Sequence, residues 1–270
     1  MRLSGRRVVV TGASSGIGRA LAHAFADRGA VLTLAARRLE KLEEVAREIV
    51  ESRPGTDAPA VVRCDVTNPH DVSTLVGGTV ERLGSVDVLV NNAGVSVFGD
   101  EARTSIDDYR HVMEVNFFGA LYCTREALPF MLRQEDGLIV NISTVAAIHG
   151  VPYLAAYGAS KAALVALSQS LRAELAGTGV RVMIVYPGYT ESEIYDTEKK
   201  VGGASRPAGR YAPASTVAEA TVRAIERGAR DLIATPQGRL LWALDGLAPP
   251  IVEHAMRKIA RELRAEGDDA

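Results

Sequence analysis

Several kinds of protein are excluded by what this sequence lacks. It has two cysteines, Cys64 and Cys123, in 270 residues. That is too few for a disulfide framework, and both read as small buried hydrophobes in a reducing compartment. Neither sign of charge dominates: the net charge is -2 and the pI is near 6.2. The pairs Arg37-Arg38 and Lys199-Lys200 are too short to form the basic stripe of a nucleic-acid surface, so no nucleic-acid partner is expected. The histidines, His23, His70, His111, His149 and His254, are scattered at no metal-ligand spacing, and no metal is expected. Residues 1–10 lack the apolar core and small-residue cleavage site of a secretory signal. No uncharged apolar stretch is long enough to span a bilayer. A cytoplasmic location is the expectation. There is no repeat, low-complexity tract or linker.

What is present is an alternation. Short apolar, β-branched runs fall at 8–10, 31–36, 60–63, 86–90, 138–142 and 180–185, with a weaker one at 232–234. Amphipathic helical patterns lie at 16–27, 39–51, 70–82, 106–133, 157–176 and 216–227. Strands apolar throughout, separated by helices, predict a parallel sheet covered on both faces. Right-handed crossovers make it doubly wound, with about seven strands in a single α/β domain. Residues 1–235 are assigned to the main α/β unit and 236–270 to a helical extension of it. Within the first, 189–213 has no clear periodicity and is expected to be a lid or disordered.

Thr11-Gly12-Ala13-Ser14-Ser15-Gly16-Ile17-Gly18 follows the first strand and opens the first helix. Glycines there let backbone approach a ligand closely, and the free N–H groups of the helix N-terminus favour a pyrophosphate. The spacing Gly-x-x-x-Gly-x-Gly differs from the commoner Gly-x-Gly-x-x-Gly. The second strand ends Ala35-Ala36-Arg37-Arg38. An acid at this tip would hold a ribose 2′-hydroxyl, whereas a basic residue suits a 2′-phosphate. Arg37 and Arg38 therefore favour NADP(H) over NAD(H). Glu40 is the competing acid, but its place in the first turn of the next helix suits the helix dipole.

Tyr157 and Lys161 are one turn apart on a helix face. A phenol titrates near ~10, too high for a base at neutral pH, and a neighbouring ammonium lowers that value. Ser143 follows the fifth strand at the rim where ligands bind in open α/β sheets, placed to donate a hydrogen bond to a substrate oxygen.

Together these signals, with Asn91-Asn92-Ala93-Gly94, resemble the short-chain dehydrogenase/reductase family over about residues 5–235. The resemblance implies a Rossmann-type fold and hydride transfer between a nicotinamide and a carbonyl or alcohol. It implies that Tyr157 is the acid/base, Lys161 tunes it and binds the nicotinamide ribose, Ser143 orients the substrate oxygen, and Asn116 holds a relay water. It implies cofactor contacts at Gly12, Ser14, Ser15, Gly16, Ile17, Gly18, Asp65, Val66, Asn91, Ala93, Gly94, Pro187 and Gly188. Where the family often reads Pro-Gly-x-Val-x-Thr, this chain has Pro187-Gly188-Tyr189-Thr190-Glu191-Ser192, so Thr190 and Ser192 take the carboxamide contacts. The family's oligomers imply a homo-dimer or tetramer through the helices at 106–133 and 157–176.

His149 and Tyr153 either edge the substrate pocket or are ordinary loop residues. Leu240, Leu241, Trp242, Leu244, Leu247, Ile251 and Val252 form an apolar stretch that can dip into a membrane interface, cover the pocket or meet a partner. Internal packing or a subunit contact is the expectation. Two other functions remain: a dinucleotide-binding sensor or scaffold without turnover, and a membrane-surface reductase of lipid-like substrates.

Overall fold

The computed structural model describes residues 1–203 and 211–268. Seven parallel strands form one sheet: β1 (Arg7–Thr11), β2 (Val31–Ala36), β3 (Ala60–Arg63), β4 (Val88–Asn91), β6 (Gly137–Ile142), β7 (Val180–Tyr186) and β9 (Asp231–Ile233), in the order β3-β2-β1-β4-β6-β7-β9. The chain winds outward from β1 through β2 to β3, then returns to β4 and winds the other way. The loops after β1 and β4 diverge at this reversal and leave a crevice at the C-terminal rim.

The period of two along each strand builds two cores. Val8 and Val10 of β1 join Leu21 and Phe25 of α1 (Gly16–Ala26), Leu42 and Ile49 of α2 (Leu39–Ser52), and Val222 and Ile225 of α8 (Ala214–Glu226). Val9 faces the other way, into Leu75 and Val76 of α3 (Pro69–Leu83) and Cys123, Ala127 and Met131 of α5 (Gly119–Arg133). Both cysteines are buried and free, and burial pushes the Cys64 thiol up to about 12.

Local chemistry sets the helix ends. Asn68 accepts from the His70 N–H at 3.0 Å before Pro69, and Gly84 closes α3 at φ 84, the usual asymmetry of helix termini. Ser105 and Asp108 form a capping box at α4 (Ile106–Met113). The sequence pattern runs unbroken from 106 to 133, but the helix is interrupted by a π turn, Glu114–Phe118, between α4 and α5. Such turns reroute the hydrogen-bond ladder and often mark functional positions.

The loop over 189–213 holds more structure than its sequence suggests: α7 (Ile194–Thr197) and β8 (Lys199–Val201), which pairs with β5 (Val97–Gly99) as a second, two-stranded parallel sheet. Residues 204–210 of that loop, and 269–270, lie outside the described residues. The last two helices, α9 (Pro236–Leu247) and α10 (Pro249–Asp268), carry the apolar stretch. Leu240, Trp242, Leu247 and Ile251 face outward, while Val252 is buried. The inner stripe of α10 is Val252, Met256, Ile259 and Leu263, spaced for one helix face. No helix among the described residues is long and apolar enough to cross a membrane.

Candidate active site

A cleft of about 470 Å³ opens at the rim above β1 and β4. Its floor is the glycine turn. Gly12 has φ +62, and a Cβ there would lie 2.8 Å from Ala93 Cα. A Cβ on Gly18 would lie 2.2 Å from the Gly12 carbonyl oxygen. The helix can therefore begin only if both stay bare. Thr11 and Asn92 lock this turn to the next strand. Thr11 Oγ1 accepts from the N–H groups of Asn92 and Ala93 at 3.1 and 3.2 Å, and Asn92 Nδ2 donates to the carbonyls of Thr11 and Gly12 at 2.9 and 3.1 Å.

Gly12, Ser14, Ser15, Ile17, Arg37, Arg38, Asp65, Val66, Ala93, Gly94, Ser143, Tyr157, Lys161, Pro187, Gly188, Thr190 and Ser192 all line the cleft. Gly16 and Gly18 lie behind it, as packing residues. A Cβ on Gly16 would meet Ser192 Oγ at 2.6 Å. Asn91 needs a correction: its amide donates inward to Thr124 Oγ1 at 3.1 Å and Asn141 Oδ1 at 2.8 Å, so it braces the sheet and Asn92 takes the rim. Successive residues at a strand end point to opposite sides, and the four-residue motif alone does not say which. Glu40 sits in the first turn of α2, exposed and outside the cleft lining.

Part of the cleft lies past the ends of β2 and β3. Asp65, Val66, His111 and Val115 line it, the last two unforeseen from sequence because they lie on α4 and the π turn. Burial pushes the Asp65 carboxyl up. The Thr67 hydrogen bonds, with the charges of Arg37 and His111, outweigh this and hold it below the usual carboxylate range.

Ser143, Tyr157 and Lys161 line another part of the cleft. Ser143 N donates to Val185 O at 2.8 Å, and its hydroxyl reaches Lys161 O at 3.3 Å. Lys161 lies on α6 (Ala155–Glu174) at 3% exposure and gives one proton to Ile142 O at 2.9 Å. Burial lowers this ammonium to about 8. Gly94 packs closely beside it: a Cβ would stand 3.4 Å from Lys161 Nζ and 3.2 Å from Asn116 Oδ1. Asn116 is fully buried in the π turn, beside Gly94 and Lys161. Its side chain is buried outside the cleft lining, accepting from Val95 N at 2.8 Å and donating to Val95 O and Ser160 Oγ, each at 2.9 Å.

Much of the remaining lining is apolar or aromatic: Val95, Val97, Val145, Val151 and Leu154, with Tyr189 and Tyr195. Phe98 and Leu154 pack with Leu263 of α10 in a cluster that Tyr157 joins, so the C-terminal helix backs this part of the cleft. Tyr153 joins that cluster, whereas His149 bonds Asp245 of α9 at 2.7 Å and does not line the cleft. Lys199 of β8 grips Asp108 at 2.7 and 3.0 Å, which fastens the loop after β7 to the capping box of α4. Lys199 holds the Asp108 carboxyl below its ordinary range.

These residues fit a nicotinamide dinucleotide. The first turn of α1 has no side-chain cap and no acid, which leaves its N–H groups for a pyrophosphate. The bare glycines give that ligand room, and one cleft holds Asp65 and Val66 together with Ser143 and Tyr157.

Comparison with known proteins agrees with this geometry. Residues 6–201 match the family model described as short chain dehydrogenase. The chain is 36% identical over 272 residues to a dehydrogenase/reductase SDR family protein 7-like of Anopheles gambiae, covering 97% of this chain and 86% of that protein. It is 45% identical over 195 residues to the 11-beta-hydroxysteroid dehydrogenase 1A of Arabidopsis thaliana, covering 71% of this chain but only 54% of the plant protein. A short chain dehydrogenase/reductase from Burkholderia phymatum in complex with NAD superposes with TM-score 0.82 at 28% identity, over 93% of this chain and 96% of that one. One from Burkholderia cenocepacia in complex with NADP does so with TM-score 0.80 at 26% identity, over 95% and 99%. A glycine turn, a serine at the rim and a Tyr-x-x-x-Lys helix on one sheet edge, with these relatives, show that the chain belongs to the short-chain dehydrogenase/reductase family of oxidoreductases.

Proposed function

We propose that the chain is an NADP(H)-dependent oxidoreductase that interconverts an apolar carbonyl compound and its secondary alcohol, with Tyr157 as the proton donor and acceptor. The observation that carries this reading is one cleft with Ser143, Tyr157 and Lys161 at one end and Arg37 and Arg38 at the other. The bound nicotinamide supplies or takes the hydride. Ser143 donates a hydrogen bond to the substrate oxygen as charge develops there. Tyr157 delivers the proton to that oxygen in reduction and removes it in oxidation. The buried Lys161 charge favours negative charge on the reacting oxygens. Asn116 acts as a positioning residue, tying the strand after β4 to α6 through Val95 and Ser160. Arg37 and Arg38 offer planar donors to a 2′-phosphate, with no acid of β2 in competition. The apolar wall and the tyrosines suit a bulky hydrophobic substrate. The name of the plant relative supports that class.

The test is NADPH consumption, followed by near-UV absorbance, against aldehydes, ketones, quinones and keto-steroids, with NADH in parallel. The reading expects turnover with apolar ketones and preference for NADPH. Saturable binding of NADPH without turnover on any carbonyl would favour a sensor instead.

The outward row Leu240, Trp242, Leu247 and Ile251 favours a second reading, in which the enzyme works at a membrane surface. Co-sedimentation with phosphatidylcholine vesicles, lost in a Trp242→Ser, Leu247→Ser variant, is its expected mark. Without vesicle binding, the same row is assigned to a subunit contact. We also propose a homo-oligomer through α5 and α6; a monomer mass by light scattering would remove it.

A further inference from the structure

One ion pair on the rim of the cleft is needed neither by the fold nor by the chemistry proposed above. Arg38 follows β2 and stands at the N-cap of α2, while Glu193 follows β7 on the opposite wall. Arg38 Nη2 donates to Glu193 Oε2 at 2.7 Å and to the hydroxyls of Ser14 and Ser15 at 3.2 and 3.3 Å. All four residues line the cleft. A guanidinium with two adjacent hydroxyls is the donor set a phosphate takes, and here a carboxylate of the same chain holds it.

We propose that Glu193 is an internal anion occupying the subsite of the cofactor's 2′-phosphate, which displaces it on binding. This rests on the NADP(H) reading. A phosphate monoester carries nearly two charges at neutral pH and three acceptor oxygens. The carboxylate offers one charge and two oxygens. Both partners of the pair are 43% exposed, so water screens it and the exchange is easy. Arg37 is differently placed, since its charge acts on Asp65. Arg38 is therefore the arginine whose partner changes.

The exchange reaches the substrate. Glu193 leads into α7, and Tyr195 and Thr197 of that helix line the cleft. Displacing Glu193 frees the first anchor of that wall and leaves the second, Lys199 on Asp108, in place. A cofactor without the 2′-phosphate leaves both anchors closed.

The test is calorimetric titration of the full chain with 2′,5′-ADP and 5′-AMP, then with NADPH and NADH. Glu193→Gln is expected to tighten 2′,5′-ADP and NADPH about two- to fivefold, the range of an exposed pair, and to leave 5′-AMP and NADH unchanged. Glu193→Ala repeats this where the amide of Gln still reaches Arg38. Glu191→Gln, exposed and two residues away, leaves all four ligands unchanged. In an Arg38→Ala background the Glu193 effect vanishes, as coupled sites require. If the wild type prefers 2′,5′-ADP over 5′-AMP but Glu193→Gln does not tighten it, the internal anion is refuted and the NADP(H) reading stands. If the wild type binds the two nucleotides equally, the NADP(H) reading fails first and the inference falls with it.

Discussion

The two ends of the cleft are built in different ways. At the cofactor end, backbone meets backbone: Gly12 against Ala93, Gly18 against the Gly12 carbonyl, and Asn92 bridging Thr11 and Gly12. At the substrate end, side chains distant in sequence are brought together. Lys199 meets Asp108 across 91 positions, His149 meets Asp245 across 96, and Leu263 packs on Phe98 and Leu154. Backbone contacts of the first kind tolerate no added atom, whereas side-chain contacts of the second kind can be exchanged one at a time. The glycine turn thus tolerates little change, whereas the contacts at the other end are free to vary one by one.

Substitutions that remove the chemistry without touching either wall give the largest effect expected. Tyr157→Phe should lower kcat by about a thousandfold, within the usual range for acid–base groups, and leave the NADPH Kd unchanged. Next comes a break at the cofactor end. Gly18→Ala drives a Cβ to 2.2 Å from a carbonyl oxygen. It should cost about 2–3 kcal/mol, lower Tm by about 5–10 °C and abolish saturable NADPH binding. At the substrate end, Leu263→Ala should cost about 2 kcal/mol and raise KM for apolar ketones while leaving the NADPH Kd alone. Equal damage to both constants would erase the contrast between the two ends.

The cofactor end was the more legible of the two in the sequence, for the same reason. Its signals are contiguous: three glycines within seven residues, arginines at a strand tip, and an apolar strand before each. The strands themselves could be read because both faces of the sheet are covered. Long-range contacts leave no such trace. β5 and β8 have three residues each and find their pattern only in each other. Leu263 and Glu193 look like ordinary helix and loop residues until the fold places them. The π turn is invisible in a helix-period pattern that continues past it, and the turn of Asn91 away from the cleft depends on where β4 ends.

Smaller effects sharpen the comparison. Burial holds Lys161 near 8, against 10.5 when exposed. The ammonium is the active form, so kcat/KM for reduction should fall about threefold between about pH 7.5 and 8.5, and Lys161→Met should flatten that slope at a low rate. Stability should move the opposite way. Between about pH 8 and 10.5 the unfolded chain binds the proton that the folded chain has released, so this lysine adds stability as the pH rises through that range. Denaturant melts at both ends of that range would show it. The smallest change is Gly246→Ala in α9, where an added Cβ meets nothing within 4 Å. It should raise stability by about 0.5–1 kcal/mol, in contrast to the loss at Gly18.

The central claim, hydride transfer to a substrate carbon with Tyr157 handling the proton, is tested most directly by an isotope. NADPH deuterated at the transferring nicotinamide carbon is incubated with a ketone that the protein turns over, and the alcohol is analysed by mass spectrometry. The account predicts one deuterium on the carbinol carbon from the wild type and about a thousandfold less labelled alcohol from Tyr157→Phe over the same time. An alcohol formed without the label, or formed equally well by Tyr157→Phe, would contradict it.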